Sequence, residues 1–257
     1  MRHNILLAFS FAKRDFKERY VGTGLGQLWY ILSPIITILI YTVIFSDFMK
    51  MKLAIIDNSY AYSIHLIPAL LAWTTFSTVI LRLNTSFFEK ANLIKKINVP
   101  MYTFQLSMVL TELFLFCISM LLAIIFLLIV HQPVTWTFLW LIPLMLLQTL
   151  LSLGLGVILS LFTPFFRDLK EVVPIVIQLW FWMTPIIYTK EMLANKYPAL
   201  LTYNPFFYFS DSYQDIFLYS KAPSLERMML ILVMTLSMLF LAGYLYRKMV
   251  STIKDII

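Results

Sequence analysis

The sequence predicts an all-α integral membrane protein with six transmembrane helices. Of its 257 residues, 61% are hydrophobic and only 13% are charged, whereas a soluble domain is normally about a quarter charged. The apolar residues form long runs, several of them of the roughly 20 residues that a helix needs to cross a bilayer. Basic residues gather at the ends of these runs, as they do in cytoplasmic loops. The net charge of +7 therefore indicates membrane anchoring rather than nucleic-acid binding.

Residues 1–21 are predicted to form an amphipathic helix in the membrane interface. One face presents the apolar side chains of Ile5, Phe9, Ala12, Phe16 and Tyr20. The other side presents the basic residues Lys13, Arg14, Lys17 and Arg19. This combination is typical of a helix on the cytoplasmic surface of anionic lipid, and an ordinary solvated helix is the alternative. The candidate interface residues are Arg14, Phe16, Lys17 and Arg19.

Six apolar segments follow, and with their loops they form one domain over residues 1–257. The predicted spans are residues 28–45, 62–83, 101–130, 136–162, 172–188 and 225–246. Because the third segment is longer than a bilayer requires, we expect part of it to project into the cytoplasm or to tilt. With both termini in the cytoplasm, most of the 20 basic residues fall on the cytoplasmic side, and this bias predicts that orientation.

Residues 87–99 are a polar interruption between the second and third spans. We interpret this segment as a small amphipathic coupling helix on which a separate motor protein pushes. It stops at Pro100, which cannot extend a helix. An ordinary positive cytoplasmic loop is the alternative. The candidate contact residues are Glu89, Lys90, Asn92, Leu93, Ile94 and Lys95.

Residues 189–224 are a polar and aromatic segment between the fifth and sixth spans. The pair Asn204-Pro205 is typical of a helix start, because asparagine caps a helix and proline is tolerated at its first position. We predict re-entrant or surface helices here that act as an outer gate. The candidate gate residues are Asn204, Pro205, Phe206, Tyr213 and Phe217.

Glu112 lies inside the third predicted span. Because an unpaired carboxylate is costly to bury in a membrane, such a residue is a functional candidate. Arg82, at the end of the second span, is a candidate partner, and a structural ion pair is favoured over proton coupling. The three histidine residues are too far apart in sequence to show metal-ligand spacing, so no metal site is predicted.

Four stretches together resemble the membrane subunits of ABC-2 type exporters, the permeases of bacterial polysaccharide and O-antigen transport. The first is RDFKERY at 14–20, with LGQLW at 25–29 and Ser33-Pro34. The second is EKANLIKK at 89–96, with Val99-Pro100. The third is FRDLK at 166–170, with Pro174, QLW at 178–180 and TPIIY at 184–188, and the fourth is Asn204-Pro205-Phe206. The ordered set covers nearly the whole chain.

The resemblance implies one half of a homodimeric channel in a bacterial inner membrane, bound to two copies of a separate ATP-binding subunit. The substrate would be a lipid-linked, O-antigen-like polysaccharide that leaves the cytoplasm. The sequence contains no G-x-x-x-x-G-K-[ST] loop, so we expect a permease rather than an enzyme. ATP and Mg would bind to the partner subunit, and this chain is expected to hold no cofactor.

Other substrates and classes stay open at this point. The same family exports teichoic acid, capsule, lipids and drugs, and the four stretches resemble the polysaccharide branch more than the drug branch. A membrane-embedded glycolipid transferase would need converging carboxylates or a metal, and the acids here are scattered. A self-contained secondary transporter would show an internal repeat, and none is evident.

Within the exporter interpretation, aromatic residues of the first and fifth spans are candidates for lining the channel. Amphipathic rings can contact both the C–H faces and the hydroxyls of sugars, and a channel must bind weakly enough to release its load. A lipid-facing or interfacial position is the alternative for each of them. The candidates are Trp29, Tyr30, Tyr41, Trp180, Phe181, Trp182 and Tyr188.

Overall fold

The computed structural model describes residues 2–48, 60–89, 99–194 and 196–256. Within these ranges the secondary structure is helical, without strands. The α-helices are α1 (Arg2–Glu18), α2 (Trp29–Thr42), α3 (Ala61–Glu89), α4 (Met101–Ile129), α5 (Leu141–Phe162), α6 (Leu169–Met183), α7 (Lys190–Ala194), α8 (Pro198–Thr202), α9 (Pro205–Tyr219) and α10 (Leu225–Ile256). Short 3-10 segments lead into α2 and α5, and a π-helical segment, Val43–Phe48, extends α2.

Five helical stretches of the described chain are long and apolar enough to cross a membrane. They are Gly26–Phe45, Ala61–Glu89, Met101–Ile129, Trp136–Phe162 and Leu225–Ile253. They correspond to five of the six predicted spans, and the last one continues beyond the predicted end at residue 246. The chain is therefore a multi-pass helical membrane protein.

The predicted span at 172–188 differs from the other five. The helix α6 has 15 residues and ends at Met183, which gives a rise of about 22 Å against a hydrocarbon core of about 30 Å. Thr184 leaves the helical region, with φ −105° and ψ 131°. Pro185 explains this end, because proline disfavours helical geometry in the residue before it and lacks an N–H donor. The count of six spans thus stays a prediction.

The helix α3 is the centre of the bundle. In its most apolar window 72% of the residues are buried, against 11% for the span that contains α2. Helices α4, α5, α6 and α9 all pack against α3. The largest fully buried side chains include Phe76 on α3, Phe116 on α4 and Tyr213 on α9. Any movement of α3 must therefore be accommodated by four neighbouring helices.

Both chain ends lie at the same end of the bundle, which we call the terminal end. The Asn4 side chain donates a hydrogen bond to the Tyr102 hydroxyl at 2.7 Å. Near the other end of the chain, Ile253 packs with Phe87 and Met101, where α3 ends and α4 begins. The other end of the bundle, where α3 begins and α4 ends, is called the opposite end below.

The helix α1 runs beside the first turns of α4. Phe11 stacks on Phe104 with ring centroids 5.0 Å apart, and the Thr111 hydroxyl donates to the carbonyl of Ala12 at 3.3 Å. The predicted apolar face is divided, because Ala12 is buried whereas Ile5 and Phe9 are exposed. Exposed apolar and basic side chains on one helix still fit the membrane interface.

The polypeptide between α6 and α9 leaves the bundle interior and returns. Trp180 on α6 and Phe206 on α9 both pack against Trp73, with ring centroids 5.8 and 4.9 Å apart. Between them in sequence, the Ile187 carbonyl accepts a hydrogen bond from the Tyr62 hydroxyl. Tyr62 and Trp73 are separated by a rise of about 16 Å along α3. The polypeptide therefore runs out to the start of α3 and back to its middle, and the choice between re-entrant and surface gate helices stays a prediction.

A close helix contact between α3 and α5 gives the first testable prediction. A Cβ atom on Gly156 would lie 2.8 Å from Cβ of Leu83, so we expect Gly156→Ala to lower the free energy of unfolding by about 1–3 kcal/mol through overpacking. At Gly243 a Cβ atom would meet nothing within 4 Å, so Gly243→Ala is the control and should not destabilise. Thermal unfolding in detergent measures both variants, and equal melting temperatures would contradict the packing.

Candidate functional site

Four charged residues from separate parts of the chain meet where α1 approaches α3 and α4. The Arg82 guanidinium donates to Oε1 of Glu112 at 2.7 Å and to both carboxylate oxygens of Asp15 at 2.9 Å. Arg19 donates to the same oxygen of Glu112. The side chain of Glu112 is only 6% exposed, and that of Arg82 is 21% exposed. We call these four residues, which together are neutral, the charge cluster.

The charge cluster shows how the buried carboxylate of Glu112 is paired. Arg82, the partner that the sequence suggested, is confirmed. Arg19 and Asp15 were missed as partners, because their sequence pattern shows only an amphipathic helix. Arg19 was expected at the basic surface of α1, and it instead turns towards Glu112. Two arginines neutralise the charge of the Glu112 carboxylate. This pairing fits the structural ion pair that the sequence favoured over proton coupling.

The charge cluster lies near one boundary of the hydrocarbon region rather than at its centre. The helical rise from Ala61 to Arg82 is about 32 Å, close to the roughly 30 Å of a hydrocarbon core. On α4, the rise from Glu112 to Ile129 is about 26 Å. The 29 residues of α4 are more than a bilayer requires, and the expectation that part of this span projects into the cytoplasm or tilts stays a prediction.

A cavity of about 170 Å³ opens beside the charge cluster, between α2, α3 and α4. Trp29 and Tyr30 line it together with Arg19 and Glu112. The rest of the lining is rich in hydroxyl groups, from Ser33, Thr74, Thr75, Thr78 and Ser119. We call it the hydroxyl cavity. Aromatic faces beside hydroxyl groups and charges offer the contacts that carbohydrates use.

Two of the seven predicted channel aromatics, Trp29 and Tyr30, thus line a polar cavity. Trp180 and Phe181 instead pack against Trp73 in the core, with ring centroids 5.8 and 5.7 Å from it. Trp180 also lines a second cavity of about 350 Å³ between α6, α8 and the start of α9. The other three aromatics line neither cavity. They are Tyr41, Trp182 and Tyr188.

The start of α9 is built around Asn204. Its Oδ1 accepts from the backbone N–H of Phe206 at 3.0 Å and from the Trp180 indole at 2.8 Å. Its Nδ2 donates to the Thr184 hydroxyl at 2.8 Å. The predicted asparagine cap is confirmed, with Pro205 at the first helical position. The same side chain therefore joins α9 to the end of α6.

The helix α9 is inserted into the bundle at the opposite end. Its predicted gate residues Phe206, Tyr213 and Phe217 are at most 1% exposed, and the helix packs against α3. Near its far end, the Gln132 side chain donates to the carbonyl of Leu218 at 3.2 Å, which ties α9 to the turn after α4. A helix buried on this scale is part of the core, so its movement would require the core to open.

A second group of four charges joins α9 to its neighbours. Nζ of Lys190 lies 2.8 Å from Asp211, and Arg227 on α10 lies 2.8 Å from Asp211 and 3.0 Å from Asp215. We call these four residues the opposite cluster. The sequence did not predict Lys190 and Arg227 as partners of these two acids, although each cation lies near the start of a predicted segment.

The ion pair of Lys190 is stable at neutral pH. Burial alone would lower the pKa of its ammonium group, but the hydrogen bond from it to Asp211 and the negative charge of Asp211 outweigh burial. The net effect raises the Lys190 pKa above its ordinary value of 10.5. Lys190 therefore stays protonated throughout the physiological range.

Most of the predicted coupling helix lies outside the described residues, including Lys90, Asn92, Leu93, Ile94 and Lys95. What is described is its start. Glu89 is the last residue of α3, and its carboxylate accepts a hydrogen bond from the Thr85 hydroxyl at 2.5 Å. Residues 87–89 thus continue α3 rather than begin a separate helix, which corrects the predicted boundary.

The described chain is a helical bundle with several helices that are long and apolar enough to cross a membrane. Residues 7–218 match the ABC-2 type transporter family, so the chain belongs to that family. Two O-antigen export system permease proteins RfbA of Klebsiella pneumoniae are 31% identical over 225 residues, covering 85% of this chain and 84% of their own length. RfbA of Myxococcus xanthus is 27% identical over 244 residues, covering 94% and 92%. The sequence resemblance is confirmed.

The charge cluster makes a prediction about stability. Glu112→Gln keeps the shape of the side chain but removes the charge that two arginines contact, so we expect the free energy of unfolding to fall by about 1.5–3 kcal/mol. The control is Glu18→Gln, which removes an exposed ion pair with Arg14 and should cost less than about 0.5 kcal/mol. Denaturation in detergent compares the two, and equal losses would show that the charge cluster does not stabilise the fold.

The opposite cluster makes a prediction about local opening. Asp211→Asn removes the carboxylate that lies 2.8 Å from both Lys190 and Arg227, so the backbone amides of α9 should exchange hydrogen about tenfold faster, equivalent to the loss of one charged hydrogen bond. Glu191→Gln changes an exposed acid in the same segment and serves as the control. If hydrogen exchange in α9 is the same in both variants, the opposite cluster does not hold this helix in place.

Proposed function

We propose that this chain is the membrane-spanning subunit of an ABC exporter that moves a lipid-linked, O-antigen-like polysaccharide out of the cytoplasm. ATP hydrolysis on a separate ATP-binding subunit drives the transport. Two copies of this chain form the channel, and two copies of the ATP-binding subunit bind at the terminal end. The membrane is the bacterial inner membrane, with both chain termini in the cytoplasm.

The observation that supports a coupled transport mechanism most directly is the charge cluster. It joins α1 to α3 and α4, and these are the two helices that flank residues 90–98. A force on that segment would reach both helices at once, and Arg82 and Glu112 would keep α1 moving with them. This arrangement suits a motor that acts from the terminal end, because the interior of the bundle is close-packed and transmits displacement.

Two features support a carbohydrate as the substrate. The relatives named as O-antigen export permeases cover most of this chain and of their own length. The hydroxyl cavity also offers contacts suited to sugars, and it extends from Glu112 in the charge cluster to Thr74 near the middle of α3. Its hydroxyl oxygens can accept hydrogen bonds, since Thr74 and Thr75 already donate their protons to backbone carbonyls of their own helix. Trp29 supplies the aromatic face.

The re-entrant helix α9 is proposed as the gate at the opposite end. It is closed by two groups of contacts, the buried aromatic residues against α3 and the ion pairs of the opposite cluster. Both groups connect to α3 or to helices packed on it, so displacement of α3 at Arg82 would change the packing around Phe206 and Tyr213. The gate would then open for export when α3 moves.

Homodimer formation is supported by the exposed apolar faces of α2 and α6. Only 11% of the span containing α2 is buried, and α6 exposes Ile175, Leu179 and Trp182. Neither face has a partner helix within the described part of this chain to cover it. A second copy placed against these two helices would form the channel between the subunits.

A transferase is not favoured by the arrangement of acids. Asp211 and Asp215, the carboxylates close enough to act as a catalytic pair, are both ion-paired with Arg227. Lys190 engages Asp211 as well. Carboxylates neutralised in this way are structural partners rather than a general acid and base, because each oxygen is used in holding helices together.

The proposed function is tested by export from proteoliposomes that contain this chain and its ATP-binding subunit. The double variant Glu89→Ala plus Leu93→Ala should either fail to assemble with that subunit or lose at least about tenfold in export per ATP hydrolysed, since about 1.4 kcal/mol of contact energy changes an equilibrium tenfold. Export of a lipid-linked polysaccharide by the wild type is the expected baseline.

Lys196→Ala removes an exposed charge at the opposite end and is the control, with export unchanged. Normal export by the double variant would remove the segment after α3 from the mechanism. Transport of teichoic acid, capsule, lipid or drug in place of the O-antigen-like polymer would support the exporter function but contradict the proposed substrate.

A further inference from the structure

An open groove of about 480 Å³ runs between α4, α5 and α10 at the terminal end of the bundle. This volume is within the range of about 300–1,000 Å³ that is usual for small-molecule sites. Its walls are apolar and include Leu106, Leu153, Leu239 and Val157. Gly243 forms part of the wall, and a side chain there would point into open space. A side chain at residue 243 would therefore occupy part of the groove.

One end of the groove is polar. Tyr102, Tyr246 and Arg247 line it there. The hydroxyl oxygen of Tyr246 accepts a hydrogen bond from the backbone N–H of Tyr102 at 3.1 Å, which leaves its own proton free to donate. Arg247 is exposed and forms no ion pair with any residue that the structure describes. This end thus offers one positive charge and a hydroxyl donor.

The groove lies where lipid meets water. On α10, Leu236, Phe240 and Leu241 are 55%, 78% and 45% exposed and form a lipid-facing surface beside it. The polar end of the groove lies at the level where α1 contacts Tyr102. The helical rise from Leu239 to Arg247 is about 12 Å. This distance from the apolar surface to the charged end of the groove matches the length of the glycerol and the upper part of one acyl chain of a lipid.

We propose that this groove binds an anionic phospholipid of the membrane, with one acyl chain against Gly243 and the phosphate at Arg247 and Tyr246. Basic pockets between transmembrane helices on the cytoplasmic side bind anionic head groups in this way. Charge complementarity selects an anionic lipid over a zwitterionic one. A lipid bound in the groove would hold α10 against α4 and α5. This role does not depend on the polysaccharide proposed above.

Native mass spectrometry of the purified full chain tests the site, with phosphatidylglycerol and phosphatidylcholine titrated separately. The wild type should bind one phosphatidylglycerol more tightly than phosphatidylcholine. Gly243→Leu fills the groove, so we expect about tenfold weaker binding, the effect of excluding about two methylene groups. Arg247→Gln should weaken phosphatidylglycerol binding about fivefold and remove the preference over phosphatidylcholine.

Two matched variants are the controls. Lys248→Gln removes the neighbouring exposed charge that does not line the groove, and Phe240→Leu changes an exposed apolar residue on the same helix. Both should bind lipid like the wild type. Equal losses in Lys248→Gln and Arg247→Gln would overturn the site, as would unchanged binding in Gly243→Leu. Tighter binding of a polyprenyl phosphate than of phosphatidylglycerol, or a changed oligomeric state in Gly243→Leu, would assign the groove to another occupant and overturn the proposal.

Discussion

The contact on which this bundle depends is the one between Glu112 and the arginines Arg82 and Arg19. Charges at the edge of a hydrocarbon region must be paired or hydrated, because an isolated ion there is costly. Arg82 meets this requirement twice, with Glu112 on α4 and with Asp15 on α1. The helix α1 is therefore attached to the spans by ion pairs rather than by lipid alone, and the three elements are expected to move together.

The central helix α3 connects this contact to the far side of the protein. Near one end it carries Arg82, and in its middle Trp73 packs against α6 and α9. At its start, Tyr62 holds the carbonyl of Ile187. A stiff helix with such contacts along its length connects the charge cluster at the terminal end with α9 at the opposite end, as the proposed motor and gate require.

Lipid and protein contacts meet at the terminal end. The charge cluster and the groove at Gly243 both lie there, and the hydroxyl cavity shares Arg19 and Glu112 with the charge cluster and runs from it towards the middle of the bundle. Their chemistry differs, because the charge cluster is neutralised internally, the hydroxyl cavity offers hydroxyl groups, and the groove offers Arg247, which forms no ion pair with the described residues. A neutral cluster can transmit force without attracting ions, whereas a cation beside an apolar groove attracts anionic lipid head groups.

The sequence by itself determined the membrane class, five of the spans and the asparagine cap of α9, because run length and capping are local properties of the chain. It also suggested Arg82 for Glu112, since both lie near span ends. Only the tertiary structure decided that Arg19 and Asp15 join them, that α9 is buried against α3, and that Trp180 is a core residue. Those outcomes depend on which helix faces meet. The spacing of hydrophobic residues in the sequence does not show this, because the lipid-facing and protein-facing surfaces of a membrane helix are equally hydrophobic.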